Sequence, residues 1–230
     1  MADVRRLLAR LNPGTIRYDI GRGGVAELTN IDIAGALGFV SNKFGREILC
    51  HCWWPAGAEL TAAQLDEALA EKVRQEMDRL QRARQIAALD LHIAQENLAA
   101  KRAPTGRDRM DVLQCQRALD EAKEWEWPTG PAVYVRIRRA VLGELCKPGH
   151  CQLCAGRGTV MVEQTVSDCP GCTGSGTTPA SARSRAREIG VDHSRYLRMW
   201  YKPYEWTLAL AADASNEAAA QLKRALARGP

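Results

Sequence analysis

Of the eight cysteines in this 230-residue chain, four fall in two matched pairs whose spacing could hold a metal ion. Cys151-Gln152-Leu153-Cys154-Ala155-Gly156-Arg157-Gly158 and Cys169-Pro170-Gly171-Cys172-Thr173-Gly174-Ser175-Gly176 each read Cys-x-x-Cys-x-Gly-x-Gly, and fourteen residues separate the pairs. A Cys-x-x-Cys turn brings two sulfurs to one ion at about 2.3 Å while backbone N–H groups face the thiolates. The glycines that follow permit the positive φ needed to turn the chain away. The pattern predicts one structural Zn2+ bound by Cys151, Cys154, Cys169 and Cys172. Four thiolates leave no coordination position for an activated water, so the metal is expected to fold the protein and not to catalyse.

The other cysteines carry weaker signals. Cys146 and His150 stand close enough in sequence to substitute as ligands, and Cys50, Cys52 and Cys115 read as small buried apolar groups. Redox chemistry at Cys169-Pro170-Gly171-Cys172 lacks a strand and βαβ context. A nucleic-acid deaminase would need His-x-Glu with Pro-Cys-x-x-Cys, and neither order is present. No nucleophile–base set or paired carboxylates stand out, so no enzyme is expected.

Downstream of the second pair lies a basic segment. Pro179-Ala180-Ser181 opens a helix that runs to Arg187 or Ile189. Gly190 then takes a turn, and Asp192 can cap a second helix through Trp200. Ala186 is small where two helices must approach, while Ile189, Val191, Tyr196 and Met199 can pack them together. This predicts a helix-turn-helix-like arrangement. His193, Ser194, Arg195 and Arg198 would face base edges, and Arg183, Arg185, Arg187 and Lys202 would hold phosphates of double-stranded DNA. Trp200, Tyr201, Tyr204 and Trp206 read as core under a last helix over Asn216–Ala227, with Leu222 and Leu226 inward.

Helical periodicity dominates the elements that must position these groups. Thr29 or Asn30 can cap a helix over Ile31–Phe39, and a second spans Lys43–Trp53 until Pro55 and Gly57 end it. Gly21-Arg22-Gly23-Gly24 lacks the strand and Gly-Lys-Ser/Thr of a phosphate loop and reads as a turn. Thr61 and Gln64 form a capping-box pattern. Leu65, Leu69, Val73, Met77, Leu80 and Ala87 then repeat at helical spacing toward Ala103. Pro104-Thr105-Gly106 breaks that helix, and Asp108–Trp127 returns with Met110, Leu113, Ala118, Ala122 and Trp125 apolar, which predicts an antiparallel pair. Residues 132–146 form another helix, with Val133, Ile137, Val141 and Leu145 on one side, before Lys147-Pro148-Gly149 stops it. Cys151–Gly176 then interrupts the helices, with Thr159–Val162 and Gln164–Val166 suited to a small β-hairpin.

The expected fold is therefore mostly α: a helical body with a long helical hairpin, an inserted four-cysteine zinc finger, and a C-terminal helix-turn-helix-like region. Its expected boundaries are 1–60, 61–130, 131–150, 151–177 and 178–230. The charge is unevenly placed. Residues 131–230 hold 14 Lys and Arg against 8 Asp and Glu, whereas residues 1–130 hold 18 against 19. All the positive excess thus sits in the cysteine-bearing portion, which suits a nucleic-acid partner. No run of eighteen uncharged apolar residues and no secretory signal are present, so a reducing bacterial cytoplasm and no membrane partner are expected. In that compartment cysteines are expected to favour metal over disulfides.

The paired Cys-x-x-Cys-x-Gly-x-Gly knuckles, followed by Pro179-Ala180-Ser181-Ala182, a basic helix, a short turn, Arg195 and Pro203-Tyr204, resemble the lambda-type phage antitermination protein Q family. The resemblance extends upstream through Asp32-Ile33-Ala34-Gly35-Ala36-Leu37-Gly38 and Phe44-Gly45 to Cys50, and resumes at Val133–Cys154. Residues 61–130 are enlarged relative to that pattern. The resemblance implies binding to a DNA element near a phage late promoter. It also implies joining a paused host RNA polymerase near its flap and sigma region four, and reading through pauses and terminators. Two other readings differ in partner. A DnaJ-like zinc chaperone module carries the same knuckles but in four copies, and a promoter-bound regulator would not travel with polymerase.

Overall fold

The computed structural model describes residues 4–11, 30–125, 127–147, 149–151, 153–154, 159–162, 165–174 and 176–228. The Gly21–Gly24 turn and the Thr29 cap lie outside these residues. Two compact units are present, Met1–Leu69 with Pro131–Pro230, and Ala70–Gly130.

The first unit is built on helices α1 (Val4–Arg10), α2 (Asn30–Gly38), α3 (Lys43–Trp53), α6 (Pro131–Cys146) and α9 (Tyr201–Arg228). Leu7 and Leu8 of α1, Ile33 and Leu37 of α2, Leu49 and Cys50 of α3, and Ala218 and Leu222 of α9 form one buried cluster. Cys50 behaves as the apolar group its composition context predicts. Asn42 caps α3 by accepting the Gly45 N–H at 2.8 Å, and donates from its own amide to Glu217 of α9 at 2.6 Å. Gly45 is needed where α3 crosses α9, because a Cβ there would overlap the backbone carbonyl of Ala214. A backbone oxygen inside a helix cannot swing aside as a side chain can. Gly45→Ala should therefore destabilise the first unit by about 3 kcal/mol, the upper part of the range for overpacked cores. Urea denaturation measures it. A loss below 1 kcal/mol would mean the two helices separate freely.

Helix α4 (Ala62–Ala100) opens with the expected capping box: Thr61 N–H donates to Gln64 at 2.9 Å and the Gln64 N–H returns to Thr61 Oγ1 at 3.3 Å. Its first turns bury Leu65 and Leu69, and Asp66 takes a bidentate ion pair from Arg138 of α6, both contacts at 2.9 Å.

In the second unit α4 pairs with α5 (Gly106–Glu124). Asp90, Ala94, Leu98 and Lys101 share one cleft with Asp108, Asp111 and Cys115, so the helices run antiparallel as expected. The boundaries differ from the expectation. α4 stops at Ala100, and α5 begins earlier because Thr105 and Asp108 form their own capping box. It ends at Glu124, leaving Trp127 buried beyond the helix. Met110 and Leu113, expected on the buried side, are about half exposed, since Asp108, Asp111, Cys115 and Leu119 occupy the side that meets α4 or is buried. Among the described residues no helix is long and apolar enough to cross a membrane.

Past α6 the described residues form four short strands. β1 (Gly149–His150) pairs antiparallel with β4 (Thr177–Thr178), and β2 (Thr159–Val162) with β3 (Thr165–Asp168). The β2–β3 hairpin was expected; the β1–β4 pair, which closes the base of the cysteine segment, was not. Helix α7 (Ala182–Glu188) follows, then α8 (His193–Arg195), a π-helical turn at Tyr196–Trp200, and α9. The separate last helix expected over Asn216–Ala227 is instead the end of α9, because no Gly or Pro interrupts Glu205–Arg228.

Candidate metal centre and the adjoining basic helices

The antiparallel β1–β4 pair brings together the two ends of the segment that carries the cysteine pairs. Cys151 donates its N–H to the Gly176 carbonyl at 2.9 Å, so the first pair is tied to the end of the second by the β1–β4 base. Thr173 and Gly174 have φ of 49° and 85°, turning the chain immediately after Cys172. The left-handed stretch thus begins one residue before the glycine that the motif singles out. Gly176 then donates its N–H to Cys172 Sγ at 3.2 Å, the contact expected of a backbone group serving a thiolate. Gly156, Arg157, Gly158, Gln164 and Ser175 lie outside the described residues.

All four sulfurs lie within 4.8 Å of one another and all four cysteines are buried. Cys151 Sγ is 3.8 Å from Cys169 Sγ, and Cys154 Sγ is 3.7 Å from Cys172 Sγ. A tetrahedral ion with sulfurs at about 2.3 Å requires sulfur–sulfur edges of about 3.8 Å, which these two edges match, and the four donors could hold one metal ion. In the absence of a cation, burial and hydrogen bonding with Cys172, Cys151 and Cys154 push the Cys169 thiol up to about 11, against a lowering by the Gly171 N–H. Among the described residues Val160 is the partly buried hydrophobic that packs against the four cysteines.

Cys146 is not a substitute ligand. It is bonded to Cys52, so that the ends of α6 and α3 are joined by a disulfide. This corrects both sequence expectations, Cys52 as an isolated apolar group and cysteines without disulfides. The two residues are 94 apart in sequence, a separation no local motif can report. Cys115 is half-buried in the second unit, and the His150 side chain lies outside what is described.

The basic segment divides by burial. Ser181 caps α7 by accepting the Ser184 N–H at 3.2 Å, and Asp192 caps α8 by accepting the Arg195 N–H at 2.8 Å. Between them Gly190 has φ 68°. Ala186, Ile189 and Tyr196 are buried across this turn, as their spacing predicts. Arg183, Arg187, Ser194, Arg195, Arg198 and Lys202 are exposed and His193 is half-exposed.

Arg185 is the exception. It is buried between two carboxylates, donating to Glu144 at 2.7 and 2.9 Å and to Glu205, with its guanidinium 5.0 Å above the Tyr204 ring. Its donors are committed to the protein interior, so the expected phosphate contact is corrected. The arginine's sequence neighbours carry no mark of this, because Glu144 is 41 residues away.

Sequence reasoning also missed three exposed groups beside the basic row. Tyr201, expected in the core, is 45% exposed, and Leu197 is 51% exposed on the same helical run. Arg136 of α6 is exposed, and its guanidinium lies 3.7 Å from where a Cβ of Gly190 would stand. Neither Leu197 nor Arg136 was signalled by spacing: Leu197 stands three residues from buried Trp200, and Arg136 lies on a distant helix.

The chain matches no protein-family model, no curated protein and no solved structure. The functional reading therefore rests on these side chains.

Proposed function

We propose that this protein is a phage late-gene transcription antitermination factor that binds double-stranded DNA near a promoter and then associates with host RNA polymerase. The observation that carries the DNA part is the exposed row Arg183, Arg187, Ser194, Arg195 and Arg198 on two capped helices that meet at Gly190. Buried Ile189 and Tyr196 hold that turn, and Arg136 adds a cation beside it. Arg195 and Arg198 suit guanine edges in the major groove, Leu197 suits a thymine methyl, and Arg183, Arg187 and Lys202 suit phosphates. Bound to the four-cysteine centre, Zn2+ would serve structure alone.

Polymerase association is supported by a different surface. Residues 151–177 contain one basic residue, Arg157, against Glu163 and Asp168. Leu153, Met161 and Val166 there are each more than 60% exposed, and Met161 and Val166 are cross-strand partners on one face of the hairpin. A weakly charged surface with apolar tips suits a protein partner better than a phosphate backbone.

Transcription from a late promoter with purified polymerase, with and without the zinc-loaded protein, tests the reading. Run-through of a downstream terminator is expected. Promoter occupancy without run-through would leave a promoter-bound regulator instead, and capture of unfolded peptides without duplex binding would favour a chaperone module.

The base-reading assignment has its own test. Arg195→Ala should weaken binding to the cognate duplex by about 1–3 kcal/mol and relax preference at one base pair. Arg224→Ala, exposed near the end of α9, should change affinity little. Titration at fixed salt compares them, and equal losses would mean the reading helix lies elsewhere.

A further inference from the structure

The Cys52–Cys146 bond stands at a mechanically significant place. Cys52 is in the last turn of α3, and Cys146 is the final residue of α6, five residues before the first metal-binding cysteine. Their Cα atoms are 4.2 Å apart. The bond therefore pins the root of the cysteine module to a helix of the main core. It also closes a loop of chain that contains the whole second unit.

Both cysteines are half-buried, not sealed. Cys52 borders a cleft of about 1080 Å³ in the first unit, whose walls include Arg5, Trp53, Leu145, Thr177 and Asn216. A tripeptide thiol can enter a space of that size, whose walls also carry Arg5 hydrogen-bonded to Asn216 and the Glu144–Arg185–Glu205 ion pairs. Cys50, two residues away, is the internal contrast: it is fully buried, and burial raises its thiol to about 11.

We propose that Cys52 and Cys146 form a reversible thiol–disulfide site, exchanging through this cleft with a low-molecular-weight disulfide of the glutathione class. In the forward direction the Cys52 thiolate attacks one sulfur of the small disulfide. A Cys52–S–S–R bond forms, and the second sulfur leaves as a thiolate that takes up the proton Cys52 gave away. The Cys146 thiolate then attacks the Cys52 sulfur, forming the protein disulfide and releasing the second small thiol with the Cys146 proton. Two electrons pass from the protein to the small disulfide, which becomes two thiols. The reverse sequence reopens the bond. In the closed state α3 and α6 are cross-linked under the metal module, and in the open state that module is held by packing alone.

The test uses the full zinc-loaded chain equilibrated in glutathione buffers from mostly reduced to mostly oxidised. Free thiols are then alkylated, located by peptide mass mapping, and zinc is measured by elemental analysis. Cys52 and Cys146 should lose alkylation together in one two-electron transition while the zinc content stays constant. The oxidised form should melt several degrees higher, since its open chain is constrained by the long loop. Cys146→Ser should accumulate one glutathione on Cys52, and Cys52→Ser should accumulate none at either position. Thiols that stay alkylatable in oxidised buffer would overturn the proposal. So would a bond that persists in fully reduced buffer, or a folded Cys146→Ser variant with no adduct on Cys52.

Discussion

Cys169→Ser should release the metal and open the segment from β1 to β4, while the core of α1, α2, α3 and α9 remains folded. Cys169 is fully buried and one of only four donors, so its loss leaves a three-sulfur site. Among the described residues of the segment the four cysteines are the buried cluster, with Val160 packed on it. β3 is exposed along its whole length. With the proposed zinc bound, its binding energy, about 10–16 kcal/mol for structural sites in small peptides, would supply most of the folding energy of the segment. The main core contains Leu8, Ile33, Leu49 and Leu222, none of which touches the metal site. Elemental analysis should find less than one zinc per chain. Amide hydrogen exchange should show protection lost over residues 149–178 and kept in α3. A variant that remains protected there without zinc would remove the metal from the argument altogether.

Arg185→Met should cost about 3–5 kcal/mol, the penalty of leaving a buried charge without its partner. Glu144, at the end of α6, accepts both guanidinium contacts, the Ala180 N–H at 3.1 Å and the Tyr204 hydroxyl at 2.9 Å. This one carboxylate therefore joins α6, the entry to α7, and α9. Burial alone would raise its pKa. The hydrogen bonds from Arg185, Ala180 and Tyr204, with the arginine's charge, outweigh that and hold the carboxyl below its ordinary value of 4.5. A carboxylate depressed on folding stabilises the native state fully above that ordinary value, and the contribution disappears as pH falls below it. Wild-type stability should thus decline in acid, and Glu144→Gln should remove part of that decline while lowering stability at neutral pH. Urea denaturation from pH 7 downward measures both effects. An unchanged acid slope in Glu144→Gln would show that other carboxylates govern it.

The same cluster explains why the exposed and buried residues of the basic segment could be told apart only in part from sequence. Arg183, Arg185 and Arg187 alternate in one short helix, and alternation by itself cannot say which one faces inward. At 100° per residue, Arg185 points away from its neighbours. What selects the inward side is a carboxylate on α6 and an aromatic ring on α9. Likewise Tyr201 and Tyr204 look equivalent in the sequence, yet the first is exposed and the second 1% exposed. The turn through Trp200 sets that difference.

By itself the sequence determined whatever rests on local periodicity or on ligand spacing. The four-cysteine centre, the β2–β3 hairpin, the α4–α5 pair, and the caps at Thr61 and Asp192 all depend on groups a few residues apart, or on a repeat whose chemistry is self-announcing. Tertiary structure alone decided the rest: the Cys52–Cys146 bond, the burial of Arg185, the close crossing at Gly45, and Arg136 beside Gly190. Each joins side chains or backbone from distant helices, so its partner is chosen by packing. No pattern within either segment encodes that choice.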